Sequence, residues 1–161
     1  MNNLTLLCIE DDNEVLEDII YLLKKYFINI YSATNCEDAL IVYNEKKPDI
    51  ILLDINIPKI NGLKIASMIR ESDEEIPVVF LLANREREKL LKVINKQVGS
   101  YIIKPFKIEE LKETIFRIIK KIDINTNNLE LLSDLFWDKN ADELSYNDDF
   151  LVKTLIPVDN Q

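Results

Sequence analysis

The chain has 161 residues, of which 47% are hydrophobic, and a formal net charge of −9 at pH 7. This length and hydrophobic content predict one packed domain of ordinary size with a short appendage, and exclude a predominantly disordered chain. The sequence contains no histidine, which excludes Ser-His and Cys-His catalysis, zinc bound through imidazole, and a histidine phosphodonor.

Short apolar runs alternate with amphipathic stretches five times along residues 1–122. The runs are predicted to be strands, and they fall at 5–9, 28–32, 49–53, 77–82 and 100–103. The amphipathic stretches are predicted to be helices, and they fall at 14–26, 37–47, 62–72, 86–97 and 108–122. Regular alternation of this kind predicts a doubly wound α/β domain, whose ligands bind at the carboxyl ends of the strands.

Four residues near the predicted element ends have purely structural interpretations. Cys8 lies inside the first apolar run and is predicted to be a buried small hydrophobe. Cys36 begins the second helix and has no evident role, while Asp12 is predicted to cap the first helix. Gly62 falls between elements, where backbone freedom is needed; an ordinary turn residue is its bland interpretation, but it also belongs to a motif with residues 48–58.

Charged residues directly follow three of the apolar runs. Glu10 and Asp11 follow the first run, Asp54 follows the third, and Lys104 follows the fifth. If these runs are neighbouring parallel strands, their carboxyl ends bring the four side chains together. Because carboxylates that lie so close repel one another unless a cation joins them, the pattern predicts a divalent metal site beside a reactive carboxylate.

The C-terminal part of the chain differs in composition from the rest. Residues 123–161 carry nine acidic and two basic residues, a net charge of −7, whereas residues 1–122 carry only −2. Residues 123–128 are predicted to be a linker, and 129–161 an acidic, β-rich tail with a short hairpin or meander. Neither part offers the basic surface that a phosphate-backbone binder needs, so this chain is not expected to bind DNA specifically.

No stretch is long and apolar enough to predict a transmembrane helix, and no signal peptide precedes the first predicted strand. The expected location is therefore the cytoplasm, with no membrane partner.

Three motifs together resemble the receiver domain of bacterial two-component response regulators. They occupy residues 6–12, residues 48–58 with Gly62, and residues 101–106. The resemblance covers residues 4–122 and implies a flavodoxin-like (βα)5 fold with a parallel sheet in the order 2-1-3-4-5. Any one motif alone would be weak, whereas three in the correct order are specific.

The resemblance implies a role for each charged residue. Asp54 would accept a phosphoryl group from a phosphohistidine on a sensor histidine kinase. Asp11 and Asp54, with the backbone carbonyl of Asn56, would hold Mg²⁺ or Mn²⁺. Glu10 would complete the acidic pocket, as a ligand or through water, and Lys104 would bind the phosphate.

The same resemblance implies that the Lys104-Pro105 peptide bond is cis. Each of these residues also has an interpretation without a functional role. Asp54 could be an acidic loop residue, Glu10 and Asp11 could cap a helix, and Lys104 could be a solvated surface residue. Their positions directly after apolar strands favour the functional interpretation.

One position departs from the family pattern. Leu82 stands at the end of the fourth strand, where the family usually has Ser or Thr, and leucine offers no hydrogen-bond donor to a phosphate. We therefore expect weakened coupling between phosphorylation and the last two strands.

Tyr101 matches an aromatic whose orientation reports activation, although a core-packing interpretation fits equally well. Asn56 and Asn84 match positions that tune phosphate lifetime, and both are neutral here.

Phosphorylation in this family changes the face made by the fourth helix, fifth strand and fifth helix, which forms a homodimer in the transcription-factor subclass. Charged residues on the two helices could supply ion pairs, although exposed helices carry such charges in any case. They are Arg85, Arg87, Lys89, Glu109, Glu110 and Glu113.

Residues 135–154 are similar to the small sheet that opens the winged-helix effector of that subclass, and the chain stops where the effector helices should begin. The expectation is either a fragment of a transcription factor or a natural short protein whose effector has decayed.

Two other functions compete with the receiver interpretation. A phosphatase of the haloacid-dehalogenase type needs a second Asp two residues after the nucleophile, and Asn56 occupies that place. A pseudo-receiver, which switches without phosphate or not at all, remains an alternative because of Leu82. The chain is expected to be a signalling protein that assists only its own phosphorylation and dephosphorylation, and not an enzyme acting on other substrates.

Overall fold

The structure is a computed structural model that describes residues 3–93, 100–126 and 153–154. Five parallel strands form most of a single sheet, in the order β2-β1-β3-β4-β5 that the resemblance implied. Their bounds are β1 (Thr5–Ile9), β2 (Asn29–Ala33), β3 (Ile50–Asp54), β4 (Val78–Ala83) and β5 (Ser100–Lys104). Every strand boundary lies within one residue of its sequence prediction.

The helices connect consecutive strands. They are α1 (Asn13–Leu23), α2 (Cys36–Lys46), α3 (Gly62–Arg70), α4 (Arg87–Val93) and α5 (Ile108–Thr126). The fourth predicted helix began at residue 86, whereas a single 3₁₀ turn at Asn84–Glu86 precedes α4. Its predicted end at residue 97 lies outside the described residues.

The last helix is longer than the sequence predicted. A linker was expected from residue 123, but α5 continues to Thr126, so the first four residues of that segment are helical. Ile115, Ile118 and Ile122 lie on the face of α5 that packs against the sheet. Because no glycine or proline interrupts residues 108–126, nothing in the sequence ends the helix at 122.

Helices cover both faces of the sheet. Alternate residues of each strand point to opposite faces, so Ile51 and Leu53 of β3 join one cluster while Ile50 and Leu52 join the other. The first cluster includes side chains of α2, α3 and α4, and the second includes side chains of α1 and α5. Burial on both faces explains why the inner strands β3 and β4 are apolar up to their ends, and it leaves the strand ends as the place for polar groups.

The predicted local roles of three residues are confirmed. The carboxylate of Asp12 accepts hydrogen bonds from the backbone N–H groups of Glu14 (3.0 Å) and Val15 (3.3 Å), which caps α1. Cys36 is the first residue of α2, and Cys8 is fully buried within β1. Burial and the nearby charge of Glu10 raise the pKa of the Cys8 thiol, so this cysteine is an inert core residue.

A sixth strand, β6 (Lys153–Thr154), pairs with the outer edge of β5. The pairing is antiparallel, with Ile102 opposite Thr154 and Ile103 opposite Lys153. The rest of the predicted hairpin or meander, and the rest of the acidic tail, lie outside the described residues. Among the described residues, no helix combines the length and the apolar character needed to cross a membrane.

Candidate phosphoacceptor site

The carboxyl ends of β1, β3 and β5 bring the charged residues to one edge of the sheet. Ile9 pairs with Leu53, so Glu10 and Asp54 are neighbours on adjacent strands. Lys104 belongs to β5, which is separated from β3 by β4, a distance of about 10 Å between strand axes. The lysine side chain is long enough to cross this gap, whereas a shorter basic group would not reach Asp54.

The four side chains predicted for the site do come together. Glu10, Asp11 and Asp54 each place one carboxylate oxygen within 4.8 Å of the other two. The Lys104 ammonium lies 2.6 Å from Glu10 Oε2 and also donates a hydrogen bond to Asp54 Oδ2. Glu10 is fully buried and Asp54 is 4% exposed, while Asp11 faces solvent. Glu10 and Asp54 are therefore shielded from solvent, whereas the cluster is open to solvent at Asp11.

Backbone N–H groups satisfy the remaining oxygens of the two buried acids. Glu10 Oε1 accepts from the N–H of Asp12 at 3.0 Å, and Asp54 Oδ1 accepts from the N–H of Asn56 at 2.7 Å. Buried carboxylates need such partners because they have lost their hydration. Both oxygens of Glu10 and both oxygens of Asp54 are therefore engaged, and the exposed Asp11 offers the freer ligand oxygens.

Burial and charge shift the protonation equilibria of the pair at the floor of the site. Burial, together with the charge of Asp54, raises the pKa of Glu10 to about 7 against the opposing effect of Lys104. Burial alone would lower the pKa of Lys104, but hydrogen bonds and charges from Asp54 and Glu10 outweigh it, so the pKa of Lys104 is raised. The lysine therefore remains an ammonium at neutral pH.

The donor set fits a hard divalent cation. Three carboxylates and one ammonium leave two uncompensated negative charges when all groups are ionised, which one Mg²⁺ would neutralise. Oxygen ligands are those that Mg²⁺ prefers, and an exposed Asp11 leaves room for the water molecules that this ion retains. The cluster of Glu10, Asp11 and Asp54 could hold such an ion.

Gly62 begins α3, as the helix predicted over 62–72 does, and it has a further role that the sequence did not indicate. It is buried, and its N–H donates to the carbonyl of Ile55 at 2.8 Å. A Cβ atom at this position would lie 2.3 Å from the carbonyl oxygen of Asp54 and 2.9 Å from the Cα of Ile55. Glycine is therefore required because α3 begins directly against the backbone of the candidate acceptor.

β4, the neighbour of β3, ends in apolar residues and offers no side-chain hydrogen-bond donor there. Leu82 is fully buried and lies in the same core cluster as Leu90 of α4 and Tyr101 of β5. Tyr101 is only 3% exposed, so its ring is part of the core in this structure. Asn84 is exposed at the start of the 3₁₀ turn.

Glu86 has a structural role that the sequence did not indicate. Its Oε2 accepts from the N–H of Ala83 at 2.9 Å and so fixes the chain leaving β4. An acidic residue three positions beyond a strand end is too common a pattern to predict this contact. At the end of β5, the peptide bond between Lys104 and Pro105 is cis.

Comparisons with known proteins agree with this geometry. Residues 6–116 match the family model of the response regulator receiver domain. The transcriptional regulatory protein KdpE of Staphylococcus aureus is 32% identical over 117 residues, which are 73% of this chain and 50% of that protein. PhoP of Bacillus subtilis, a transcriptional regulatory protein of alkaline phosphatase synthesis, is 26% identical over 82% of this chain and 55% of that protein. The chain thus spans about half the length of these curated relatives.

Solved structures of response regulators share the fold of this chain. A two-component response regulator from Clostridium difficile is 26% identical, with a TM-score of 0.68 over 74% of this chain and 98% of that one. A response regulator receiver domain protein from Clostridium thermocellum shares the fold, with a TM-score of 0.70 over 75% of this chain and 98% of that one at 20% identity. With the family model matched across β1 to α5 and the carboxylate cluster at the expected strand ends, the chain belongs to the response regulator receiver family.

Proposed function

We propose that this receiver takes a phosphoryl group from a sensor histidine kinase onto Asp54, with Mg²⁺ or Mn²⁺ in the acidic cluster. The new charge then changes the face formed by α4, β5 and α5 and so controls dimerisation or an effector. The observation that supports this most directly is the Lys104 ammonium held between two buried acids, Glu10 and Asp54, beside the exposed Asp11.

The transfer is a displacement at phosphorus. A carboxylate oxygen of Asp54 attacks the phosphorus, the P–N bond of the phosphohistidine breaks, and its electron pair stays on the imidazole nitrogen of the kinase. The product is an acyl phosphate on Asp54. Little covalent assistance is needed because positioning and charge stabilisation supply most of the rate in phosphoryl transfer.

Two neighbouring groups orient the Asp54 carboxylate and supply positive charge beside it. The N–H of Asn56 holds Asp54 Oδ1, which fixes the orientation of the carboxylate. Lys104 is already hydrogen-bonded to Asp54 and would transfer its contact to the phosphoryl oxygens as they arrive. A bound divalent cation supplies further positive charge there, and Asp11, Asp54 and the backbone carbonyl of Asn56 would hold it.

The protein acts in this proposal as a signalling module whose only chemistry is on itself. Relatives named as transcriptional regulatory proteins support a role in transcription control for a longer parent protein. Specific DNA contacts are not expected from residues 1–161 themselves, because they carry no basic patch.

A pseudo-receiver is the second candidate, and Leu82 is the observation that favours it. The side chain is fully buried at the end of β4 and presents no donor toward the site. A receiver of this kind would keep the fold and the partner surface but would respond weakly to phosphate or not at all.

Intact-mass measurement after incubation with acetyl phosphate and Mg²⁺ tests the proposal. We expect one phosphoryl adduct on the wild-type protein, none on Asp54→Ala, and the adduct retained on Asp38→Ala, an exposed aspartate of α2. An adduct that persists on Asp54→Ala would place the acceptor elsewhere, and its absence from the wild-type protein would favour the pseudo-receiver.

A further inference from the structure

The side of β5 that faces away from β4 is the outer edge of the parallel sheet. β5 pairs with β4 on one side, and in the five-stranded parallel sheet its other side would be an edge. An edge strand presents unpaired N–H and C=O groups, which are a template for another extended segment unless something covers them.

The structure shows what covers this edge. Residues Lys153–Thr154 form an antiparallel strand on β5, with Ile102 and Ile103 as their partners. This short strand also lies against α5, so a segment in this position contacts both the sheet edge and the neighbouring helix.

We propose that the outer edge of β5, flanked by α5, is a strand-docking site whose occupant in solution is this chain's own segment 153–154. The inference concerns strand docking only and stands whether or not Asp54 is the phosphoacceptor. The docked strand pairs with Ile103, the residue directly before Lys104.

The sequence around the strand suits this role. Leu151-Val152 precede it and Leu155-Ile156 follow it, so an apolar and β-branched run surrounds the paired residues up to Pro157. Attachment to the same chain raises the effective concentration of the segment at the edge, which favours docking even though a two-residue pairing is weak.

Hydrogen exchange of the full chain, followed by NMR at the amides of Ile102 and Ile103, tests the proposal. Successive N–H groups of a strand point to alternate edges, so one of these amides faces β4 and the other faces β6. We expect both to be protected in the wild-type protein. In the double variant Lys153→Pro/Thr154→Pro, which disrupts strand pairing, one should exchange about tenfold faster or more while the other stays protected.

Lys153→Ala/Thr154→Ala is the matched control, because it alters both side chains but retains the backbone N–H groups, and we expect it to keep both amides protected. Retained protection of the amide that faces β4 shows that the proline variant is folded. An unprotected amide in the wild-type protein, or equal loss in the alanine variant, would overturn the proposal. Protection that rises with protein concentration would overturn it too, by assigning the occupant to a second copy of the chain.

Discussion

Glu10 has no exposed surface, and its oxygens face an ammonium and a backbone N–H rather than water. Burial and the charge of Asp54 raise its pKa from 4.5 to about 7, so the folded protein holds a proton there over a pH range in which the unfolded chain has lost it. The raised pKa of Glu10 therefore makes the free energy of unfolding depend on pH. Its favourable contribution is fully present below the pKa of the unfolded chain and is lost as pH rises through the pKa of the folded protein. A site suited to a divalent cation therefore costs stability when it is empty at neutral pH.

This cost should be measurable by comparing wild-type protein with Glu10→Gln, which keeps the shape and removes the charge. In the presence of EDTA, we expect the variant to gain stability relative to wild type as pH rises from about 5 to about 8. Urea unfolding across this pH range gives the difference directly. Glu14→Gln, at an exposed position in the first turn of α1, should show no such trend. A pH-independent difference for Glu10→Gln would contradict the assignment.

Leu82 stands where the family resemblance leads us to expect Ser or Thr. Leu82→Thr would place a hydroxyl at the end of β4, beside the strand that carries Asp54. We expect a loss of about 1–3 kcal/mol in unfolding free energy, because a buried hydroxyl without a fixed partner is costly. We also expect larger NMR shift changes in α4 and β5 when beryllofluoride, a phosphoryl analogue, is added.

Leu81→Thr is the matched control for this prediction. Leu81 lies on the same strand but points into the other core cluster, so it should lose comparable stability without any gain in response. An equal response in wild type and Leu82→Thr would show that Leu82 does not limit switching.

At the scale of elements, the junction between β3 and α3 carries the tightest packing at the site. Gly62→Ala would force a Cβ against the carbonyl of Asp54, and the backbone of β3 would have to move. We expect a loss of about 2 kcal/mol or more in stability, since backbone atoms cannot yield as a flexible side chain does. Phosphorylation by acetyl phosphate should also slow, because the acceptor is displaced.

Thermal or urea unfolding, together with the initial rate of adduct formation, measures both effects of Gly62→Ala. Ser67→Ala, at an exposed position of the same helix, should change stability by no more than about 0.5 kcal/mol. A stable, fully active Gly62→Ala would show that α3 can shift without moving β3.

At the scale of the whole molecule, the face formed by α4, β5 and α5 is the proposed output. Leu91 of α4 is 42% exposed, and Arg85 before α4 and Glu109 and Glu113 of α5 are exposed as well. We expect the beryllofluoride-treated protein to form a dimer in analytical ultracentrifugation, and the dimer to weaken as salt screens the charge pairs. A protein that stays monomeric at high concentration would contradict the proposed dimer.

A charge-reversal pair locates that dimer interface. Glu109→Lys/Glu113→Lys changes two exposed positions of α5 and should weaken dimerisation. Glu37→Lys, on the first turn of α2, should leave it unchanged. Equal weakening by both variants would show that net charge, and not this face, controls association.

The sequence alone determined the strands, their order through the family resemblance, and the acids at the strand ends. It could do so because apolar runs and strand-end charges are local patterns. Only the tertiary structure decided that Lys104 reaches across β4 to hold both Glu10 and Asp54, and that Gly62 touches the acceptor's backbone. It also decided that α5 continues to residue 126 and that β5 has an antiparallel neighbour. These features depend on distances between segments far apart in the chain, and a linear pattern does not carry such distances.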